Sequence, residues 1–179
     1  IEGKEDMAGD YMADFSSLLR GILDNSGKNS VTLEEELRTT RLYLELEAKR
    51  TDHLFEHTIE VAKSVNLKSK LPPLIFQPYL ENAIWHGIRN QENSPKLHIL
   101  FKINENRDLI IEIQDNGHGF KEKKPDEKHF SKGNQLIHER ITTLNKQFEV
   151  PVALLEILSS PNGTTVRFVF SPKLYNVPV

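Results

Sequence analysis

The sequence has no cysteine. That excludes disulfides, thiolate zinc sites and a cysteine nucleophile, and it fits a reducing compartment. No apolar run reaches the length a membrane-spanning helix needs, and no stretch of this sequence reads as a signal peptide. Neither sign of charge dominates: the formal net charge is −3, with acidic and basic residues mixed along the chain. The basic stripe expected of a general nucleic-acid binder is missing, so no nucleic-acid partner is expected. Repeats and low-complexity tracts are also lacking. What is there is 179 residues, 37% hydrophobic and 27% charged, enough for one well-buried core with a small helical appendage. The chain opens on Ile1 in a polar stretch, IEGKEDMAGD. It reads as a piece of a longer protein, which leaves room for a membrane anchor upstream.

Hydrophobic periodicity sets out the elements. From Met7 to Asn25, Tyr11, Phe15, Leu18, Leu19 and Ile22 recur at helical spacing, and NSGKNS stops that helix. TLEEELRTTRLYLELEAKR starts at Thr32 with Glu35 three residues on, a capping-box signature. Leu33, Leu37 and Leu44 continue its apolar side to about Arg50. In LFEHTIEV, Phe55, His57, Ile59 and Val61 alternate with Glu56, Thr58 and Glu60, which predicts a strand. A helix entered through Pro72 and Pro73 follows. KLHILFKI and DLIIEIQD are strands joined by NENR as a hairpin. NGHGFKEKKPDEKHFSK, polar and containing Pro125, is a long loop. GNQLIHERITTLNKQF is a helix with Leu136, Ile137, Ile141 and Leu144 facing inward, and VALLEILS and TTVRFVFS form a closing hairpin around SPNG. Antiparallel hairpins with helices between them predict an α+β fold, with helices on one face of a mixed, mainly antiparallel sheet. The regular alternation of a doubly wound fold is missing.

Four stretches carry possible chemistry. In LPPLIFQPYLENAIWHGIRN, Asn82, His86 and Arg89 stack on one side of a helix, opposite Leu80, Ala83, Ile84 and Gly87, which face the sheet. A solvated polar face explains this; so does a ligand wall, since an amide oxygen suits Mg²⁺ and a cation one turn on suits phosphate. In IEIQDNGHGF a strand runs into Asp115, followed by Gly117 and Gly119. That is either a common turn or a carboxylate poised for an exocyclic amine, with glycines letting backbone approach a planar ring. In FSKGNQLIHERI, Gly133 precedes a helix whose first N–H groups suit an anion or a simple cap. In PNGTTVRFVF, Gly163 and Thr164 open the final strand. His53 and His57 share one strand face, but without a third ligand they read as strand residues.

In this order and spacing the chain resembles the ATP-binding catalytic domain of sensor histidine kinases, in the group shared with gyrase, heat-shock-90 chaperones and MutL-type repair proteins. VTLEEELRTTRLYLELEAKR and LPPLIFQPYLENAIWHGI are similar to the LytS-like subfamily, and the likeness runs from about Met7 to Pro172. It implies a Bergerat-type two-layer fold at residues 53–179. Residues 1–52 are then a helical segment from the end of the phosphoacceptor region and its linker. The resemblance implies ATP and Mg²⁺ as ligands. Asn82 is the metal ligand, with His86, and by transfer Arg89, near the phosphates. Asp115 binds the adenine amine, Gly117 and Gly119 shape the wall beside the base, Gly133 belongs to a second glycine box, and Thr164 supports the adenine-binding carboxylate. Phe120 to Lys132 is a lid over ATP. The implied partners are a response regulator and, in the full-length protein, a second copy of the chain. The implied location is the cytoplasmic side of the inner membrane.

Three departures stand against the family pattern. Trp85 occupies a position where many relatives have lysine. The second glycine box is reduced to SKGNQL, with Ser131 and Asn134 in place of glycine and an apolar residue. Pro78 stands one turn before the asparagine, where ATP-hydrolysing relatives place a glutamate base, and Glu81 points well around the helix from it. A site without a water-activating base suits transfer to another acceptor. None of the seven histidines sits in a phosphoacceptor context, so the acceptor is expected upstream. The rival readings are a degenerate nucleotide-binding or dimerisation scaffold, a hydrolase of the gyrase and chaperone type, and a serine kinase acting on a partner.

Overall fold

A computed structural model of the protein describes residues 2–51, 55–88, 94–119 and 132–175. Two N-terminal helices, α1 (Glu2–Ser26) and α2 (Leu33–Arg50), precede a five-stranded sheet. α2 starts where the capping box predicts. The Thr32 hydroxyl accepts the Glu35 N–H at 3.2 Å, and the Glu35 carboxylate accepts the Thr32 N–H at 2.8 Å. Leu33, Leu37 and Leu44 are buried as expected. On α1 the apolar stripe is only partly covered: Leu18 is buried, while Phe15 and Leu19 remain exposed.

The sheet has the order β2-β4-β5-β7-β6, built from β2 (Glu56–Val61), β4 (Lys96–Ile103), β5 (Leu109–Asp115), β6 (Ala153–Ser160) and β7 (Gly163–Phe170). β2 and β4 are parallel and the other pairs antiparallel, so the α+β reading holds. Strand alternation puts Ile99, Phe101, Ile111, Ile113, Val166 and Phe168 on one buried face. The register aligns Ile111 with both Phe101 and Phe168. Phe76 packs edge-on against Phe101 and Phe168, and Tyr79 against Phe168, so the helix layer closes this face with aromatic contacts. On the far face Glu112 is buried between Lys102 at 3.1 Å and Arg167 at 2.8 Å.

Three local expectations need correction. The helix after the prolines, α3 (Gln77–Asn82), starts at Gln77. Leu71 is in β3 (Lys70–Leu71), paired with β1 (Val31–Thr32), and Leu74 has φ 57. A left-handed residue cannot continue a right-handed turn, so the helix starts beyond it, with Pro78 in its first turn where the missing N–H costs nothing. On α4 (Lys132–Phe148), Ile137 and Ile141 are buried but Leu136 is 63% exposed. The inward stripe is narrower than the sequence pattern implied. Gly133, expected to precede this helix, is its second residue, and Lys132, expected in the lid, is its first. The closing helix α5 (Pro172–Tyr175) and the small β1–β3 pairing were not anticipated.

Candidate functional site

α3 does not continue as an α-helix. From Ala83 to Ile88 the chain winds as a π-helix, closing its hydrogen bonds five residues along instead of four. This wider turn brings Gly87 round toward the side of Asn82. The expectation of a polar face set opposite Ala83 and Gly87 is therefore corrected: Asn82, Ala83 and Gly87 line the same cleft. The cleft lies between this helical segment and the ends of β5 and β7. Ile113, Asp115, Thr164 and Val166 form its sheet wall, Gly119 its rim, and the half-enclosed space amounts to about 30 Å³.

Asp115 ends β5, where its register partners are Leu97 and Thr164. Its Oδ1 accepts the N–H of Gly117 at 2.9 Å. Burial pushes the carboxyl above the ordinary aspartate range, against the pull of the backbone N–H groups of Gly117 and Thr164. Glycines make this packing possible. A Cβ on Gly87 would stand 2.8 Å from Asp115 Oδ1, and one on Gly117 would stand 2.3 Å from the Gly87 carbonyl oxygen. Gly119 has φ +64 and packs on the Ser160 carbonyl; Gly163, with φ +137, packs on the carbonyl of Asp115 itself.

The structure thus brings together Asn82, Asp115, Gly117, Gly119 and Thr164. Gly133 lies apart from the cleft lining, one residue before Asn134. That asparagine is 4% exposed, and its Oδ1 accepts the Asn82 side-chain N–H at 2.9 Å. His86 is described through its backbone only, within the π-helical turn, and Arg89, His53 and the lid segment Phe120 to Ser131 lie outside the described residues. Glu81 is exposed and accepts from Gln77 at 3.2 Å, turned away from the cleft. Trp85 is covered by the guanidinium of Arg50, 4.2 Å from its ring centroid, which ties the end of α2 to the π-helical turn.

Sequence reasoning did not assign Gly87 and Tyr79 to the cleft, nor Asn134 to the support of Asn82. Gly87 had a readable signal, because glycine inside a helix costs about 1 kcal/mol against alanine and marks a close approach. Asn134 was read as erosion of a motif. Tyr79 was read as part of a buried helix, yet it lines the cleft and its buried hydroxyl has no hydrogen-bond partner among the described residues.

Comparison with known proteins points to sensor histidine kinases. Sensor protein LytS of Staphylococcus epidermidis is 31% identical over 161 residues, which cover 84% of this chain and 26% of that protein. Over most of its length the chain is similar to LytS sensor proteins. Sensor protein LytS of Staphylococcus saprophyticus is 28% identical over 168 residues, covering 89% of this chain and 27% of the relative. The chain therefore spans about a quarter of the length of these curated relatives. The family model described as Histidine kinase matches residues 1–55. Among solved structures, the histidine kinase domain of a blue-light activated kinase from Erythrobacter litoralis superposes with a TM-score of 0.56 at 15% identity, covering 93% of this chain and 81% of that one. The Acinetobacter baumannii histidine kinase AdeS gives 0.58 at 12% identity, covering 94% and 80%. These two likenesses establish the fold. Among the described residues, no helix is long and apolar enough to cross a membrane.

Proposed function

We propose that this chain is the ATP-binding catalytic part of a LytS-like two-component sensor histidine kinase. It binds Mg-ATP in the cleft between Asp115 and Asn82 and presents the γ-phosphoryl group to a histidine carried upstream of this chain. Within that reading residues 1–52 are the end of the phosphoacceptor and linker region, and 53–179 are the catalytic domain on the cytoplasmic side of the membrane. The observation that carries the reading is that Asn82 and Asp115, 33 residues apart in the sequence, line one cleft with Gly119 and Thr164.

The chain's own groups fit these ligands. Asp115 offers a partly buried acceptor for an exocyclic amine, flanked by the apolar walls of Ile113 and Val166. The close backbone contacts at Gly117 and Gly119 keep side chains off the space beside the base. Among the described residues no group of three His, Cys, Asp or Glu side chains could hold a metal. Asn82 would hold a cation by its amide oxygen together with substrate phosphates, the usual manner for Mg²⁺. When bound, that ion screens the phosphate charges. The transfer itself breaks the bond from the γ-phosphorus to the bridging oxygen, which leaves with ADP, and forms a bond to an imidazole nitrogen. Neither Pro78 nor the outward-turned Glu81 supplies a base for water, which favours transfer over hydrolysis. The phosphoryl group then passes to a response regulator, and the full-length protein acts as a homodimer.

Asp115→Ala tests the base-binding assignment. Loss of a charge-assisted hydrogen bond worth roughly 1.5–3 kcal/mol lowers ATP affinity about tenfold to a hundredfold. Unchanged ATP binding by calorimetry rejects the assignment. A second reading, a scaffold without kinase activity, is favoured by Trp85 lying under Arg50 where relatives have lysine, and by the narrowness of the cleft. Full-length protein that takes up no label from γ-labelled ATP decides for the scaffold.

A further inference from the structure

We propose that Asn134 is a positioning residue for Asn82: it holds the Asn82 amide so that the amide oxygen, and not the N–H pair, faces the divalent cation. The inference rests on the reading above and adds the device that orients the metal ligand. A side-chain amide is a planar group with an acceptor on one edge and donors on the other. Left to itself it presents either edge, and only the oxygen edge attracts a cation. In this structure the donor edge of Asn82 is engaged by Asn134 Oδ1 at 2.9 Å, which turns the oxygen edge away from Asn134. The reverse ordering, with Asn134 donating, presents N–H groups to the ion and repels it.

Asn134 is well placed to impose this choice. It is almost wholly buried, so its amide costs free energy there unless it is hydrogen-bonded. It sits in the first turn of α4, whose backbone is fixed by two further anchors. Ile137 and Ile141 enter the core, and the Arg140 guanidinium donates to the Pro73 carbonyl at 2.8 Å. The same arrangement links the start of α4 to the end of α3 at Asn82, one of the cleft residues. The departure at Asn134 from an apolar residue is thus a gain of a polar contact.

The test uses the whole 179-residue chain, with Asn134→Leu, Asn134→Ala and Asn134→Asp. ATP affinity is measured by calorimetry with Mg²⁺ and again with EDTA, and side-chain amide signals are recorded by NMR without ligand. In the wild type, the Asn82 side-chain amide gives slowly exchanging, well-separated proton signals, and Mg²⁺ strengthens ATP binding. Leucine or alanine removes the slow exchange and lowers the Mg²⁺-dependent gain roughly threefold to tenfold, the range of one net hydrogen bond. ATP affinity in EDTA stays unchanged. Aspartate keeps the acceptor and restores both properties. A merely structural role moves both affinities together, and that result overturns the proposal, as does an Asn82 signal indifferent to Asn134→Leu and Asn134→Ala. Failure of the wild type to bind ATP at all, with the Asn82 signal still dependent on Asn134, refutes nucleotide binding and the positioning role, leaving only a structural contact.

Discussion

Replacing Glu36 by glutamine changes how this protein's stability depends on pH. Glu36 lies on α2, is 2% exposed, and its Oε2 accepts the N–H of Leu74 at 3.1 Å. Burial pushes its carboxyl from the ordinary 4.5 up to about 7, although the N–H groups of Leu74, Ile75 and Phe76 and the charge of Arg140 pull the other way. The folded value lies above the unfolded one, so folding favours the protonated form. The stabilisation this brings is complete below pH 4.5 and is lost as pH rises through 7. A difference of that size corresponds to roughly 3 kcal/mol, a large share of a typical domain's stability. Glutamine retains an acceptor for Leu74 and has no proton to lose. The assay is urea unfolding of both proteins at intervals from pH 4.5 to 8, with an unchanged denaturant slope as the check on two-state behaviour. The wild type should lose about 3 kcal/mol relative to Glu36→Gln across that window. Removing the nearby positive charge with Arg140→Met should carry the loss to higher pH. Parallel stability curves for wild type and Glu36→Gln would refute the reasoning.

The remaining predictions concern the cleft and its supports. In Gly87→Ala the new methyl group stands 2.8 Å from Asp115 Oδ1. Overpacking of this kind costs about 1–3 kcal/mol, so ATP affinity should fall about tenfold or more; undiminished binding by calorimetry counts against a cleft floor built on Asp115. ATP affinity should also fall on acidification. Protonation removes the Asp115 acceptor charge, and the raised folded value starts that loss at higher pH than for an ordinary aspartate. An affinity profile flat down to the ordinary aspartate range contradicts this. Finally, Trp85→Ala and Arg50→Met should show a coupling of roughly 0.5–1 kcal/mol in a double-mutant unfolding cycle, because the guanidinium lies over the indole. Additive effects would mean the stack contributes nothing.

Local rules with a single dominant cause were legible in the chain. The Thr32–Glu35 box is self-contained, so it placed the start of α2. The alternation of Leu97, Ile99 and Phe101 reports a one-sided sheet directly, and so the sheet face was readable. Reading failed where tertiary contacts override period. Leu136 fits the helical pattern as well as Ile137 does, yet it is left exposed while Ile137 is buried. The prolines at 72 and 73 resemble a helix entrance, but Leu74 turns the chain left-handed and Glu36 reaches across from α2 to bind its N–H. Asn82 and Asp115 came into view through the order and spacing of their motifs, and the fold sets both on one cleft. Asn134 did not come into view, because its partner lies 52 residues away and no spacing rule connects them. The π-helical turn is equally silent in sequence, and it alone decides which side Gly87 joins.

Much of the cleft floor is main chain resting on main chain: Gly117 on Gly87, Gly119 on Ser160, Gly163 on Asp115. Its contour is accordingly closed to variation by single residue exchange, since even one methyl at these points collides with a carbonyl that has nowhere to retreat. Adaptation of this pocket to a different ligand has to proceed through the side-chain walls at Ile113, Thr164 and Val166. The depth of the recess is inherited, and only its upholstery is negotiable.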